Sequence, residues 1–355
     1  MVRKIRLTRA GSLLLGRMPE GCRLCVKGAK LVLFVTGLCD RGCYYCPLSE
    51  KRRNRDVVYA NERPVRRWAD VVREALEMDA LGTGLTGGSP TLRFNRTLRF
   101  VRMLKRDFGR DHHIHLYCCE DLSLSRLRAL YRAGLDEIRF HTWSVEPVKK
   151  ALEIGLNTGV ELPAIPGSAD RLIKFLEKLD SVGCAFVNLN ELEFSDTNAT
   201  NLLRRGFRLK SDTSMAVKGS ESAARKVLEW AKANTEMSVH FCPSSLKDAV
   251  QLKNRLLRKA LRIAKPHEEV TEEGLLYKGV ILGISKKQLP HVRRKLILRH
   301  RLRPSDIFLD QEKSRLELHW KQALRLAKLE PSLKFALVEE YPTYDRLETT
   351  VSPLS

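Results

Sequence analysis

The chain alternates between short apolar runs and segments with helical spacing, and this alternation constrains its fold more than any other feature. The first run, Lys30 to Gly37, is β-rich and ends in glycine, as is typical of a buried strand. The segment Pro64 to Ala80 then places apolar residues at helical spacing, and a glycine-rich strand follows it. Similar units continue, so that six strands are predicted at 30–37, 82–88, 113–118, 137–140, 160–165 and 184–190.

Each helix in such a pattern carries the chain back to begin a parallel neighbour. The sequence therefore predicts an α/β fold, a parallel-stranded partial (β/α)6 barrel similar to a TIM barrel. The last segment mixes short strands with one helix, which indicates a small C-terminal α+β domain. We divide the chain into an N-terminal arm with a CxxC motif at 1–29, a core barrel with a helical extension at 30–265 and a small basic α+β domain at 266–355.

Reactive side chains in parallel barrels lie on the loops that follow the carboxyl ends of the strands. We therefore expect the active site at this edge of the sheet. The features that fall there are the cluster beginning at Cys39, Gly87-Gly88, Glu120, His141, Pro166-Gly167 and Glu191.

Three cysteines, Cys39, Cys43 and Cys46, lie on one loop directly after the first predicted strand. Three close thiolates can hold three corners of a 4Fe-4S cube and leave the fourth iron without a protein ligand. The alternatives are zinc with a fourth ligand from elsewhere or three structural cysteines, although zinc sites more often show paired CxxC motifs. The nine cysteines of the chain are odd in number and clustered, which favours metal-binding thiols in a reducing compartment over disulfides.

The spacing C-x3-C-x-aromatic-C, with Tyr45 in the aromatic position, resembles the hallmark of the radical S-adenosylmethionine (radical SAM) superfamily. The resemblance covers approximately Lys30 to Asn190. It implies a barrel of radical SAM type, in which the open iron chelates the amino and carboxylate groups of S-adenosylmethionine. It also implies that one electron from the cluster cleaves the cofactor into methionine and a 5'-deoxyadenosyl radical.

A second match to the family is the turn Gly87-Gly88-Ser89-Pro90, which lies where the family carries a Gly-Gly-Glu-Pro-like turn. Two glycines allow the backbone to approach the ammonium group of a ligand closely. Ser89 departs from the usual acidic residue, so only backbone contacts to that ammonium are expected here. The resemblance further implies adenine packing near Ile165 and a ribose contact from His141, which could equally be a structural loop residue.

The segment from Lys30 to Val65 is also similar to archaeal radical enzymes related to pyruvate formate-lyase-activating enzyme. That similarity describes the core of the protein and does not assign a substrate.

Two further groups of residues could belong to the site. Cys22 and Cys25 form the CxxC motif, and we hypothesise that they hold an auxiliary iron-sulfur cluster with Cys242, or zinc if His240 joins them. Free reduced thiols are the alternative. Asn190 and Glu191 end the last predicted barrel strand and are candidates for substrate or cofactor contacts, or else for a hydrogen-bonded strand terminus.

The chain has 64 Lys and Arg against 42 Asp and Glu, a formal charge of +22 that would attract phosphate backbones. A predicted basic helix at 247–265 and a basic segment between Arg293 and Arg303 could form a phosphate-binding face, although a solvated basic surface is the alternative. The leading hypothesis is therefore a radical enzyme that modifies RNA, most plausibly tRNA. The alternatives are a protein-directed radical enzyme, which installs a glycyl radical or alters a side chain, and a non-catalytic iron-sulfur protein.

No stretch approaches the roughly 20 consecutive apolar residues that span a bilayer. We expect a soluble, cytoplasmic protein without a membrane partner, which receives electrons from a donor protein. The sequence predicts neither the oligomeric state nor whether S-adenosylmethionine is consumed or regenerated.

Overall fold

The computed structural model of the chain describes residues 3–354. These form two compact units. The first contains the chain up to Leu76 together with Ala80–Leu252, and the second contains Glu77–Asp79 and the chain from Lys253 onward. The domain bounds derived from the sequence remain a prediction. Among the described residues, no helix combines the length and apolar character that crossing a membrane requires.

The first unit carries thirteen strands and nine α-helices within its described residues. The strands are β1 (Arg6–Leu7), β2 (Leu13–Leu15), β3 (Lys30–Phe34), β4 (Tyr59–Ala60), β5 (Arg63–Pro64), β6 (Gly82–Thr86), β7 (His113–Cys118), β8 (Glu137–Phe140), β9 (Asn157–Ala164), β10 (Phe186–Glu191), β11 (Leu209–Ser211), β12 (Ser214–Val217) and β13 (Ser238–Cys242). The helices are α1 (Glu20–Val26), α2 (Trp68–Glu77), α3 (Phe94–Phe108), α4 (Leu124–Arg132), α5 (Glu146–Glu153), α6 (Ala169–Ser181), α7 (Ala199–Arg204), α8 (Ser220–Asn234) and α9 (Ser244–Leu246).

The main sheet has the strand order β1-β2-β13-β10-β9-β8-β7-β6-β3-β4-β5. From β13 to β3 all neighbouring strands pair in parallel. The parallel run therefore contains seven strands, because β13, which is not among the six predicted strands, pairs with β10. The two ends of the run pair antiparallel with β2 and β4 and not with each other. This confirms the predicted α/β fold with an open, partial barrel.

The two faces of the parallel strands differ in polarity because side chains alternate along each strand. On one face the side chains are apolar and inaccessible to solvent, as for Leu116, Ile138 and Leu189. We call the other face the polar face. It carries Lys30, His115, Tyr117, Glu137, Arg139, Glu161, Asn188, Asn190 and His240.

Helix α1 follows β2 and packs against β3, β6 and β7. It approaches the polar face closely, because a Cβ atom added to Gly21 would lie 2.5 Å from His115 Nδ1 and 2.7 Å from Arg139 Nη2. The N-terminal arm therefore covers part of the polar face, and glycine is the residue that permits this approach.

The second unit is an antiparallel sheet with helices, the α+β type expected for the C-terminal segment. Its sheet has the order β16-β17-β15-β18-β19, and β14 pairs with β15. The helix predicted at 247–265 is instead a π-helical stretch, Lys247–Leu252, followed by an α-helix. The elements of the second unit are α10 (Lys253–Ile263), β14 (Glu269–Val270), β15 (Leu276–Leu282), α11 (Leu289–His300), β16 (Ile307–Asp310), β17 (Arg315–Leu318), α12 (Trp320–Leu329), β18 (Lys334–Glu340) and β19 (Glu348–Pro353).

Buried charges pair on the sheet of the second unit. Lys278 Nζ lies 2.7 Å from Glu268, 3.2 Å from Glu317 and 3.0 Å from Glu340. Burial by itself raises the pKa of Glu340, but the charge of Lys278 and the hydrogen bond from Arg346 outweigh it and lower the pKa to about 2. The ionised carboxylate of Glu340 therefore stabilises the folded unit.

We predict that acid destabilises the second unit through Glu340. A carboxyl with a depressed folded pKa contributes stability above its unfolded pKa of about 4.3, and this contribution, up to about 3 kcal/mol, is lost as the pH falls toward 2. Urea unfolding between pH 5 and 2.5 should therefore show a shallower pH dependence for Glu340→Gln than for the native protein. Glu339→Gln, the neighbour on the same strand, should keep the native slope. Equal slopes for all three proteins would contradict the prediction.

Candidate functional site

The three cysteines of the predicted cluster motif lie on the long loop after β3, and all three are half-buried. The Cys46 N–H donates to the Cys43 carbonyl at 3.1 Å, which curls the end of the loop. Burial raises the pKa of the Cys39 thiol; the N–H of Arg41 opposes this, and the negative charges of Cys43, Asp40 and Cys46 add to it. Thiolates at these positions therefore need a bound cation to offset their mutual repulsion.

The thiols after β3 do not form a closed shell for a single ion. Within residues 3–354, the only three metal-ligating side chains whose ligand atoms all lie within 4.8 Å of one another are His267, Glu268 and Glu317. The ammonium of Lys278 already pairs with both of those carboxylates. The sulfur atoms of Cys39, Cys43 and Cys46 are therefore not all within 4.8 Å of one another.

Gly37 fixes the base of the cysteine loop. Its N–H donates to the Arg55 carbonyl at 2.8 Å, and its carbonyl accepts from the Asn54 N–H at 2.9 Å. A Cβ atom at this position would lie only 1.6 Å from the Arg52 carbonyl oxygen. The loop therefore closes on itself through the backbone, and any other residue at position 37 would open it.

The turn after β6 is hydrogen-bonded to the same loop. The Gly88 N–H donates to the Thr36 carbonyl at 2.8 Å, and the Ser89 N–H donates to the Leu38 carbonyl at 2.7 Å. A Cβ atom would lie 2.2 Å from the Thr36 oxygen at Gly87 and 2.4 Å from the Leu38 oxygen at Gly88. The sequence analysis attributed these glycines to the approach of a ligand. The structure adds a second reason, because both are needed to join the turn to the cysteine loop.

Ser89 and Pro90 are buried, and Ser89 is hydrogen-bonded to the carboxylate of Glu120, which lies just after β7. Its hydroxyl donates to one oxygen of Glu120, and the Thr91 hydroxyl donates to the other. Burial raises the pKa of Glu120, and the Ser89 hydrogen bond opposes that change. Glu120, which follows β7, therefore places a carboxylate beside the Gly87–Pro90 turn, whose position 89 is not acidic. The sequence placed Glu120 at this edge but gave no sign of this pairing.

Tyr45 is held by His141. The Tyr45 hydroxyl lies 2.9 Å from His141 Nε2, and His141 Nδ1 lies 2.9 Å from the Glu161 carbonyl oxygen. Because a carbonyl only accepts, Nδ1 carries the proton and Nε2 accepts from the tyrosine. Burial lowers the pKa of His141, which favours this neutral form. His141 therefore orients Tyr45, and the expected ribose contact from His141 remains a prediction.

An apolar cluster adjoins the cysteine loop, and Ile165 and Tyr45 pack against it. Its buried members are Leu192, Phe194, Leu202 and Val217, and Tyr44 and Phe207 pack beside them. Apolar side chains next to an aromatic ring can accept a planar base such as adenine. This position agrees with the role predicted for Ile165 without testing it.

Asn198 is a site residue that the sequence analysis missed. It is buried, and its Nδ2 donates to the carbonyls of Tyr45 and Glu193, each at 3.0 Å. The neighbouring Thr197 hydroxyl donates to the Cys46 carbonyl at 3.3 Å. These bonds tie the far end of the cysteine loop to the segment after β10. The polar run Ser195 to Asn198 before α7 could have indicated a structural role for Asn198, because such residues form turns and helix caps.

The two candidates at the end of β10 face opposite ways. Asn190 lies on the polar face, where its Nδ2 donates to Glu161 at 2.8 Å. Glu191 is buried on the other face and accepts from the N–H and hydroxyl of Ser244 at 2.9 and 3.1 Å. Only Asn190 is therefore placed beside the remaining polar groups, while Glu191 holds the start of α9.

The auxiliary cysteines lie elsewhere in the same unit. Cys22 and Cys25 are on α1 and Cys242 ends β13. Cys22 and Cys242 are buried and Cys25 is half-buried.

We predict that Gly88→Ala lowers cluster loading. The added methyl would meet the Leu38 carbonyl at 2.4 Å and push the turn away from the cysteine loop. Iron per chain after anaerobic reconstitution should fall to less than half of the native value. Gly109→Ala is the control, because it strains a left-handed backbone position but meets no atom within 4 Å. Native iron content in Gly88→Ala, or an equal loss in Gly109→Ala, would count against this role.

We also predict that Asn198→Ala loosens the cysteine loop. The change removes the hydrogen bonds to Tyr45 and Glu193, and carbonyls left unpaired in a buried setting cost about 1–3 kcal/mol. Loaded variant protein should release iron to a chelator several-fold faster than the native protein. Asn201→Ala, an exposed change on the same helix, should behave as native. Equal release rates for the two variants would argue against the prediction.

Several solved structures are similar in fold at low sequence identity. Streptococcus suis SuiB bound to S-adenosylmethionine shares 14% identity with a TM-score of 0.42, over 61% of this chain and 50% of that one. Methylornithine synthase shares 12% identity with a TM-score of 0.42, over 59% of this chain and 63% of that one. The chain thus spans between half and two thirds of those two structures.

Comparison of the sequence with known proteins identifies the family. Residues 33–188 match the radical SAM superfamily. A Methanocaldococcus jannaschii protein, whose name marks it as a candidate glycyl-radical enzyme activating enzyme, is 44% identical over 281 residues, which cover 75% of this chain and 74% of that one. The resemblance noted from the cysteine motif is thereby confirmed. The chain belongs to the radical SAM superfamily, and it is an enzyme of the kind that uses a 4Fe-4S cluster and S-adenosylmethionine.

Proposed function

We propose that this radical SAM enzyme acts on a polypeptide and installs a glycyl radical on a partner protein. The observation that carries the proposal is the 44% identity, over three quarters of both chains, to the candidate glycyl-radical enzyme activating enzyme. This favours the protein-directed alternative over the modification of RNA that the net charge suggested.

Different residues at the carboxyl edge of the sheet would hold different parts of the cofactors. Cys39, Cys43 and Cys46 would hold the cluster, Glu120 would accept from the ammonium group of S-adenosylmethionine, and the apolar cluster beside Ile165 would receive the adenine. On one-electron reduction the bound cofactor supplies methionine and a 5'-deoxyadenosyl radical. The transfer of one hydrogen atom from a glycine Cα to that radical gives 5'-deoxyadenosine and a glycyl radical, and the electron comes from a donor protein.

Several basic side chains of the two basic segments are already hydrogen-bonded or ion-paired within the protein, so fewer remain to bind RNA. Arg293 donates to the carbonyls of Ile307 and Pro304, and Arg299 lies 3.0 Å from Glu330. On α10, Lys259 is buried and lies 3.2 Å from Glu77. Exposed basic residues remain, including Arg294, Lys295 and Arg301. An RNA substrate is therefore the second candidate, favoured only by the net charge and these residues.

A deuterium-transfer experiment tests the proposal. Reconstituted, reduced protein is incubated with S-adenosylmethionine and either a protein extract of the organism that encodes it, labelled with α-deuterated glycine, or RNA from the same cells. We expect deuterium in the 5'-deoxyadenosine formed with the labelled protein extract. A parallel reaction with unlabelled extract should give the doublet electron paramagnetic resonance signal of a glycyl radical, because the remaining α-hydrogen splits the signal. Cys43→Ala should form neither product.

The same experiment can contradict the proposal. Unlabelled 5'-deoxyadenosine with the protein extract, and formation stimulated by RNA, would favour the RNA substrate. In that case binding to RNA should also weaken steeply with salt, because phosphate contacts release counterions.

A further inference from the structure

We propose that Cys22, Cys25 and Cys242 hold a second 4Fe-4S cluster, separate from the one assigned to the loop after β3. The site goes beyond the proposed function, since neither the family nor the hydrogen transfer requires it.

Two segments distant in sequence, α1 and the region from β13 to Leu252, bring these thiols together. Cys22 and Cys25 lie three residues apart on α1 and therefore on the same side of that helix. Helix α1 packs against the segment Lys247–Leu252, from which Gln251 Nε2 lies 3.9 Å from Cys242 Sγ. The negative charges of Cys22 and Cys25 both act on the Cys242 thiol. The three sulfurs thus share one buried environment in the first unit.

The pairing of β10 with β13 also places Cys242 and His240 near Cys22. Asn188 on β10 donates from Nδ2 to Cys22 Sγ at 3.4 Å. Asn188 is also the register partner of His240 on β13, and Asn190 is the register partner of Cys242. Side chains two residues apart on a strand point to the same side, so His240 and Cys242 both lie on the polar face, beside Cys22.

His240 provides an independent sign of a missing ligand. Its side chain is 2% exposed, and neither ring nitrogen has a hydrogen-bond partner among the described residues. A neutral imidazole has one ring nitrogen that can bind a metal ion. An unpaired buried imidazole costs stability unless something binds it, and a metal corner would do so. His240 is therefore the candidate for the fourth corner of this cluster.

Charged side chains of both signs lie near the thiols. Arg139 and Lys30 act on Cys22 and Lys247 acts on Cys242, while the carboxylate of Glu161 acts on both. The nearby cations would offset part of the negative charge of a thiolate-bound cluster in a buried setting.

The four side chains are not arranged as a closed zinc shell. Tetrahedral zinc with bonds of about 2.3 Å brings its sulfur ligands to about 3.8 Å from one another. Among the residues that the structure describes, no three ligands from Cys22, Cys25, His240 and Cys242 come within 4.8 Å of one another.

Iron and sulfide counts in two complementary variants test the site. Two 4Fe-4S clusters give about eight irons per chain after anaerobic reconstitution, and either loss leaves about four. Replacing Cys22, Cys25 and Cys242 together by Ala should therefore halve both counts, and so should replacing Cys39, Cys43 and Cys46 together. Cys184→Ala removes an equally buried thiol outside both sets and should keep about eight.

The variant that lacks Cys39, Cys43 and Cys46 keeps the test valid if the other triple variant does not fold, because it leaves α1 and β13 unchanged. It should retain an iron-sulfur absorption band and about four irons. Iron-free protein in the Cys39, Cys43 and Cys46 variant would overturn the proposal. Native iron and sulfide content after loss of Cys22, Cys25 and Cys242 would overturn it as well.

Discussion

The site depends on the backbone hydrogen bonds that join two neighbouring strand ends. Gly88 and Ser89 donate to the carbonyls of Thr36 and Leu38, at the base of the loop that carries the three cysteines. These bonds form only because positions 87 and 88 lack a Cβ atom. The cysteine loop and the glycine turn are thus joined directly, since these bonds belong to both.

Polar side chains then complete the site from further strands. Glu120 is held against the turn by Ser89 and Thr91, and Asn198 holds the far end of the cysteine loop through Tyr45. Each of these groups comes from the carboxyl end of a different parallel strand or from the segment that follows it. Loops on one edge of a rigid sheet therefore assemble a cofactor site whose parts lie far apart in the chain.

The sequence predicted the fold well because strand and helix periods are local properties. It missed that β13 extends the parallel sheet, since the pairing with β10 is set by tertiary structure. The three clustered cysteines and the glycine turn were visible as motifs. The contact of Glu120 with Ser89 and Thr91, and the opposite facing of Asn190 and Glu191, depend on packing that no local pattern reports. The net charge likewise does not report that ion pairs within the fold occupy part of the basic surface.

The central claim is that the loop after β3 holds a 4Fe-4S cluster with one iron open to S-adenosylmethionine. Electron paramagnetic resonance of the reconstituted, reduced protein tests it most directly. A cluster signal whose g values shift when S-adenosylmethionine is added, and which is lost on replacing Cys43 by Ala, is the result we expect. A spectrum unchanged by the cofactor, or a protein that stays free of iron under every anaerobic loading condition, would contradict the account.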